Sequence, residues 1–148
     1  MAVYEPTLEE ARKIAGKNAG AFLEMQLVRY DADGIVLEMP ITDRCRQPFG
    51  ILHGGMSLVL AESAASMHSC WGLDLAAFTP VGIEINGSHL RSARDGTVRA
   101  TGRVIRRSRT LVVHEVEISH VESGDLLCVS RVTNYLKPLR PKPAAPAA

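Results

Sequence analysis

The chain has 148 residues, 46% hydrophobic and 22% charged, with a formal net charge of +1. That length supports one domain with a real core. The near-neutral balance argues against a nucleic-acid binder, and no segment reaches the ~18 uninterrupted apolar residues that a membrane span requires.

In chain order, Thr7 is followed three residues later by Glu10, the spacing of a capping box. "TLEEARKIAGKNAG" is therefore expected to form a short amphipathic helix ending between Gly16 and Gly20. The next stretch, "AFLEMQLVRYDADGIVLEMPI", gives two strand-like runs split by the turn signal Asp31-Ala-Asp-Gly34. In the second run Ile35, Leu37 and Met39 alternate against Val36 and Glu38. Pro48, Gly50, Gly54 and Gly55 then mark a loop. From Gly55 to about Trp71 there is neither Pro nor Gly, and the residues favour a helix of ~25 Å. It is apolar nearly all round, so burial on every side is expected. Four β-branched runs follow, divided by turns at Arg94–Gly96, Ser108–Arg109 and Glu122–Asp125. Residues 1–136 form one domain in this reading; 137–148 are a Pro/Ala-rich tail, expected to be disordered. The fold class is α+β, a long central helix wrapped by an antiparallel sheet.

Cys45, Cys70 and Cys128 are odd in number and widely spaced, without a CxxC pair, which argues against a disulfide framework or a zinc site. The N-terminus has no basic region followed by an apolar run. A soluble, cytoplasmic setting is expected, and no metal is required, because none of the five His residues shows ligand spacing.

Three features carry chemistry. Glu62 is the lone carboxylate between Gly50 and Ser66, and Ser66 lies four residues on, on the same helix face. A carboxylate in apolar surroundings is costly unless partnered; the bland alternative is an exposed or Arg-paired helical Glu. His53-Gly54-Gly55 falls where the helix begins, where unpaired N–H groups and the helix dipole converge on a developing negative charge. With Gln47 nearby, this arrangement suits acyl transfer or hydration. Glu62 lies ~10 Å along the helix from Gly55, so a site shared between two chains around a two-fold axis is expected. Finally, Arg91, Arg94, Arg99, Arg103, Arg106, Arg107 and Arg109 face a single acid, Asp95. Guanidinium forks suit phosphates, and the lack of interleaved aromatics argues against a nucleic-acid platform.

"QPFGILHGGMSLVLAESAAS" followed by "VGIEINGSHLRSARDGTVRATG" resembles the hotdog-fold acyl-CoA thioesterases. Within that family it is most similar to the class typified by one type of 4-hydroxybenzoyl-CoA thioesterase, which uses a helix Glu or Asp. The strongest likeness there is to the 1,4-dihydroxy-2-naphthoyl-CoA and enterobactin-proofreading group, over roughly Phe22 to Tyr135. The resemblance implies a curved antiparallel sheet around the helix, a dimer with a continuous sheet and usually a tetramer, a dimer of dimers. It also implies an active site shared between subunits and an acyl-CoA substrate, with CoA as part of the substrate and no cofactor. By the same resemblance Glu62 is the catalytic carboxylate, as nucleophile or general base. Gly54 supplies the amide that polarises the thioester carbonyl, Gln47 and His53 lie near it, and Ser66 positions water. Ser63, His89, Gly55 and Met67 are expected at the substrate, and Arg91, Arg94, Arg106, Arg107, Ser108 and Arg109 at the CoA nucleotide. The segment from Ser108 carries one or two extra residues relative to the pattern, Cys70 to Phe78 does not match closely, and the tail is an addition. The alternatives kept open are a hydratase or dehydratase of the same fold and a non-catalytic acyl-CoA-binding module.

Overall fold

The computed structural model describes residues 3–15 and 17–139. Two short helices, α1 (Leu8–Ala15) and α2 (Asn18–Phe22), precede a hairpin of β1 (Gln26–Asp31) and β2 (Gly34–Pro40). A single 3-10 turn, Asp43–Cys45, leads into the long helix α3 (Gly54–Ser69). Four strands complete the described residues: β3 (Phe78–His89), β4 (Thr97–Arg107), β5 (Leu111–His120) and β6 (Leu126–Pro138).

The capping box forms as spaced: the Thr7 amide donates to Glu10 Oε2 at 2.8 Å and the Glu10 amide to Thr7 Oγ1 at 3.3 Å. α1 ends at Ala15, and a second short helix, not expected from the sequence, starts at Asn18 in the left-handed region (φ 55°). At the β1–β2 turn Asp31 Oδ1 accepts from the Asp33 and Gly34 amides, an Asx turn that closes the hairpin. Ile35, Leu37 and Met39 all point into the core, as their alternation requires.

The six strands form one antiparallel sheet in the order β1-β2-β4-β5-β6-β3. It curls over α3, which touches five of the strands. Ala61, Ala64 and Ala65 are fully buried between helix and sheet, with Leu60 beside them. Their small side chains let the sheet approach the helix closely, while Ile35, Val98, Val116 and Ile118 fill the remaining space.

The expectation of a helix buried on every side is corrected here. One sheet covers only one face of a helix, so Val59 and Glu62 stay exposed, and Ser63, Ser66 and Met67 are half-buried. The expected tail start also shifts: Lys137 and Pro138 belong to β6, paired with Thr79 and Phe78. Residues 140–148, the rest of the expected disordered tail, lie outside the described residues. β3 is an edge strand of 12 residues paired only with β6. It carries exposed Val81 and Ile83, and a bulge between Gly82 and Glu84. Among the described residues no helix is long and apolar enough to cross a membrane.

Candidate active site

The loop before α3 is a tight structure of its own. Arg46 and Leu52 form an antiparallel bridge, the Gln47 amide donates to the Ile51 carbonyl, and Gly50 turns the chain at φ 75°, a conformation that favours glycine. The His53 amide is held by the Cys45 carbonyl at 2.8 Å. Its imidazole caps the helix: Nδ1 accepts from the Gly55 amide at 2.9 Å, so a neutral His53 carries its proton on Nε2. Gly55 is thereby engaged. The Gly54 amide makes no intramolecular hydrogen bond among the described residues, leaving it free at the positive end of α3. A side chain at Gly54 would begin 2.8 Å from His89 Nε2, so glycine is what lets the His89 ring lie over the helix start. Gln47, Gly54, His89 and Arg91 share the walls of a cleft of about 400 Å³. Thus four sequence-predicted residues from separate segments meet at one end of α3. Phe49, 81% exposed, stands on the loop beside them.

Glu62 is not on the walls of that cleft. Eight residues of α3 separate it from Gly54, about 12 Å along the axis. Its carboxylate is exposed and leans on the edge strand: a Cβ at Gly82 would stand 2.6 Å from Glu62 Oε1. Glu62 makes no hydrogen bond or ion pair among the described residues and faces water in the single chain, the exposed alternative that the sequence left open. One turn on, the Ser66 hydroxyl donates to Asn134 Oδ1 at 3.0 Å, and Asn134 is fully buried on β6. Asn134 was missed by the sequence reading. The signal was a polar residue at an inward β position, between buried Val132 and Leu136.

Ser63 and Met67 line a second, largely apolar cavity of about 150 Å³ with Ile14, Met25 and Leu37. The two α3 residues expected at the substrate therefore open onto α1 and the first hairpin. Ser63 Oγ itself donates back to the Val59 carbonyl at 2.7 Å.

The arginines do not form one site, which corrects the picture of a single basic cluster. β4 is 11 residues long, about 35 Å, and it separates Arg91 and Arg94 from Arg106, Arg107 and Arg109. Arg91 pairs with Asp125 at 3.2 Å, and Arg94 donates to the Phe49 carbonyl beside the cleft. Arg99 and Arg103 pair with Glu38 and Glu115 across the sheet. Arg107 donates to the Ser69 and His68 carbonyls and caps the C-terminus of α3. Ser108 closes its own turn, accepting from the Leu111 amide at 2.9 Å. Arg106 and Arg109 are exposed and make no ion pair among the described residues. No group of three or more His, Cys, Asp and Glu able to hold a metal ion occurs among the described residues.

A second buried polar group lies at the far end of α3. His68 Nε2 bonds the Asp31 carbonyl and Nδ1 bonds His114 Nε2, each at 2.9 Å. A carbonyl only accepts, so a neutral His68 is protonated on Nε2 and takes its second bond from His114 Nε2–H. That leaves His114 Nδ1 as a buried acceptor without a partner among the described residues. Burial, reinforced by the neighbouring His68 and Arg107, pushes the His114 pKa down to about 3; burial also lowers that of His68.

The family model described as thioesterase superfamily matches residues 49–127, from the pre-helix loop into β6. The 1,4-dihydroxy-2-naphthoyl-CoA hydrolase of Escherichia coli is 38% identical over 132 residues, 88% of this chain and 94% of that protein. Among solved structures, thioesterase HI1161 of Haemophilus influenzae superposes with a TM-score of 0.86 at 34% identity, over 95% of this chain and 96% of that one. Thioesterase PA1618 of Pseudomonas aeruginosa, solved as a mutant, gives 0.85 at 36% identity, over 90% and 96%. The helix-wrapping sheet, the loop-to-helix turn and these likenesses agree: the chain belongs to the thioesterase superfamily and is a thioester hydrolase of the hotdog fold.

Proposed function

We propose that the protein hydrolyses an aromatic acyl-CoA to the free acid and CoA, at a site built jointly by two copies of the chain. The observation that carries this reading is the division of the chemistry. The free Gly54 amide, Gln47 and His89 line one cleft, whereas Glu62 and Ser66 lie beyond it along the helix and are open to a partner. Two such chains related by a two-fold axis bring the loop of one to the helix of the other.

In the assembled site the thioester carbonyl oxygen accepts from the Gly54 amide, where the α3 dipole favours the oxyanion. Gln47, on the wall of the same cleft, and the Nε2–H of His53, the residue before Gly54, assist. Glu62 of the partner subunit attacks the carbonyl or takes a proton from water, and the thiolate of CoA leaves. Ser63 and Met67 line the cavity that receives the acyl group; its apolar walls and the 1,4-dihydroxy-2-naphthoyl-CoA hydrolase relative both favour a flat aromatic group. Arg91 and Arg94 beside the cleft, or Arg106 and Arg109 at the far end, provide cations for the nucleotide phosphates. A dimer of dimers in the cytoplasm completes the reading, and the three free cysteines suit a reducing compartment.

The test is a kcat/KM panel of aryl-CoA and aliphatic acyl-CoA substrates, naphthoyl types included, followed by release of free thiol. Aryl-CoA substrates are expected to lead. Glu62→Gln is expected to lower kcat by orders of magnitude with KM largely kept. Near-normal turnover in that variant, or hydration of crotonyl-CoA without thiol release, overturns the reading.

A further inference from the structure

Behind the carboxylate lies a buried polar side chain with no part in the steps above. Asn134 stands directly across from Gly82 on β3 and from Val112 on β5, and none of its surface reaches solvent. A buried amide must recover its lost hydration from a partner. The partner is Ser66: its hydroxyl donates to Asn134 Oδ1 at 3.0 Å, and Asn134 Nδ2 donates back to Ser66 Oγ over a longer 3.5 Å. The point where a Gly82 Cβ would stand is 2.6 Å from Glu62 Oε1 and 3.8 Å from Asn134 Oδ1. Amide and carboxylate thus converge over one residue of the edge strand, with Ser66 bonded to the amide.

A serine hydroxyl holds a single proton. With that proton committed to Asn134, Ser66 Oγ offers only lone pairs to anything between itself and Glu62. We propose that Asn134 is a positioning residue that makes Ser66 an obligate acceptor, so that a water held between Ser66 and Glu62 donates both protons to the protein and turns a lone pair toward the thioester carbonyl. This rests on the reading of Glu62 as the catalytic carboxylate and deepens it toward the general-base route. In the step, the water oxygen bonds to the carbonyl carbon as Glu62 takes one of its protons. Collapse of the tetrahedral adduct breaks the C–S bond, and CoA departs as thiolate with the electron pair. The other water proton leaves with the product acid, and the Glu62 proton passes to the thiolate, restoring the carboxylate. A Ser66 free to donate would bond the Glu62 carboxylate or one water lone pair, and either weakens the base or makes the water a poorer nucleophile.

Asn134→Leu keeps much of the shape and removes the acceptor. Its kcat is expected to fall roughly threefold to tenfold, the value of one buried hydrogen bond, with KM held within about twofold. In a Ser66→Ala background the same change is expected to cost nothing further, because the hydroxyl it orients is gone. Equal losses in both backgrounds, or a loss carried by KM, overturn the assignment. A crystal structure of the wild-type protein tests it even if Asn134→Leu fails to fold. Water bridging Ser66 Oγ and the Glu62 carboxylate is expected, and a direct Ser66–Glu62 hydrogen bond overturns it. Glu62→Gln tells the two levels apart: retained turnover removes the catalytic reading itself, whereas lost turnover with a silent Asn134→Leu removes only the role of Asn134.

Discussion

Glu62 was conspicuous in the sequence as one carboxylate in a long uncharged run, yet the reason it is informative changed with the structure. It is not a buried charge in search of a partner; it is an exposed one laid against Gly82. Nothing in the spacing from residue 62 to residue 82 reveals that approach, because it depends on how the edge strand crosses the helix. Gly82 is therefore expected to matter more to turnover than to folding. Gly82→Ala puts a methyl group at the position that Glu62 Oε1 now approaches to 2.6 Å. The carboxylate must swing away and, on the proposed role of Glu62, kcat is expected to fall about tenfold or more, since a displacement of about 1 Å at a reacting group has effects of that order. The melting temperature should change little, because the carboxylate can relax into solvent. A fall in melting temperature without a fall in kcat would show that Gly82 is needed only for packing.

At the level of elements, the two ends of α3 serve different purposes. The N-terminus leaves the Gly54 amide unpaired and ready to bind, whereas the C-terminus is tied down by every neighbour. Tyr30 donates to the Met67 carbonyl, Arg107 caps the His68 and Ser69 carbonyls, and His68 links the Asp31 turn to His114 on β5. The histidine pair also makes stability depend on pH. The folded pKa of His114 is depressed to about 3, below the ordinary value of 6.5. Unfolded chains therefore bind more protons once the pH drops below about 6.5, and stability falls with pH from there until the folded pKa is reached. From pH 7.5 to pH 5 this group alone costs about 2 kcal/mol, and His68, lowered in the same direction, adds to it. His114→Gln keeps a donor for His68 Nδ1 without a titrating ring, so its melting temperature should drop less over that interval than the wild type's. Parallel pH curves for the two proteins would refute this role for the pair.

For the whole molecule, two uncovered surfaces meet: the outer face of α3, with Val59 and Glu62, and the 12-residue edge β3, with Val81 and Ile83 exposed. A long edge strand that exposes such side chains invites pairing, and a lysine in place of one of them opposes it. On the proposed shared site, Ile83→Lys should lower the solution mass from a multiple of the 16.0 kDa chain toward a single copy, measured by light scattering. Thioester hydrolysis should be lost with it, because Gly54 and Glu62 then sit on opposite sides of a missing partner. A monomer with full activity would show that one chain suffices.

Much was legible from the residues alone. The Thr7–Glu10 cap, the Asp31–Gly34 turn and the alternation of Ile35, Leu37 and Met39 are local signals, set by interactions within four residues or by the period of a strand, and each appears as written. The succession of elements along the chain, a hairpin, the long helix and four strands, followed largely from where glycine and proline fall. The histidine-glycine turn and the lone glutamate stood out as candidates for the same reason, as local departures from an apolar pattern. Only the tertiary structure decided which side of α3 the sheet covers, that Asn134 stands behind Ser66, that Gly82 passes under Glu62, and that the arginines divide between the two ends of β4. Those relations join residues up to 68 positions apart. Strand register and the curl of the sheet set them, and neither leaves a mark in the spacing of the sequence.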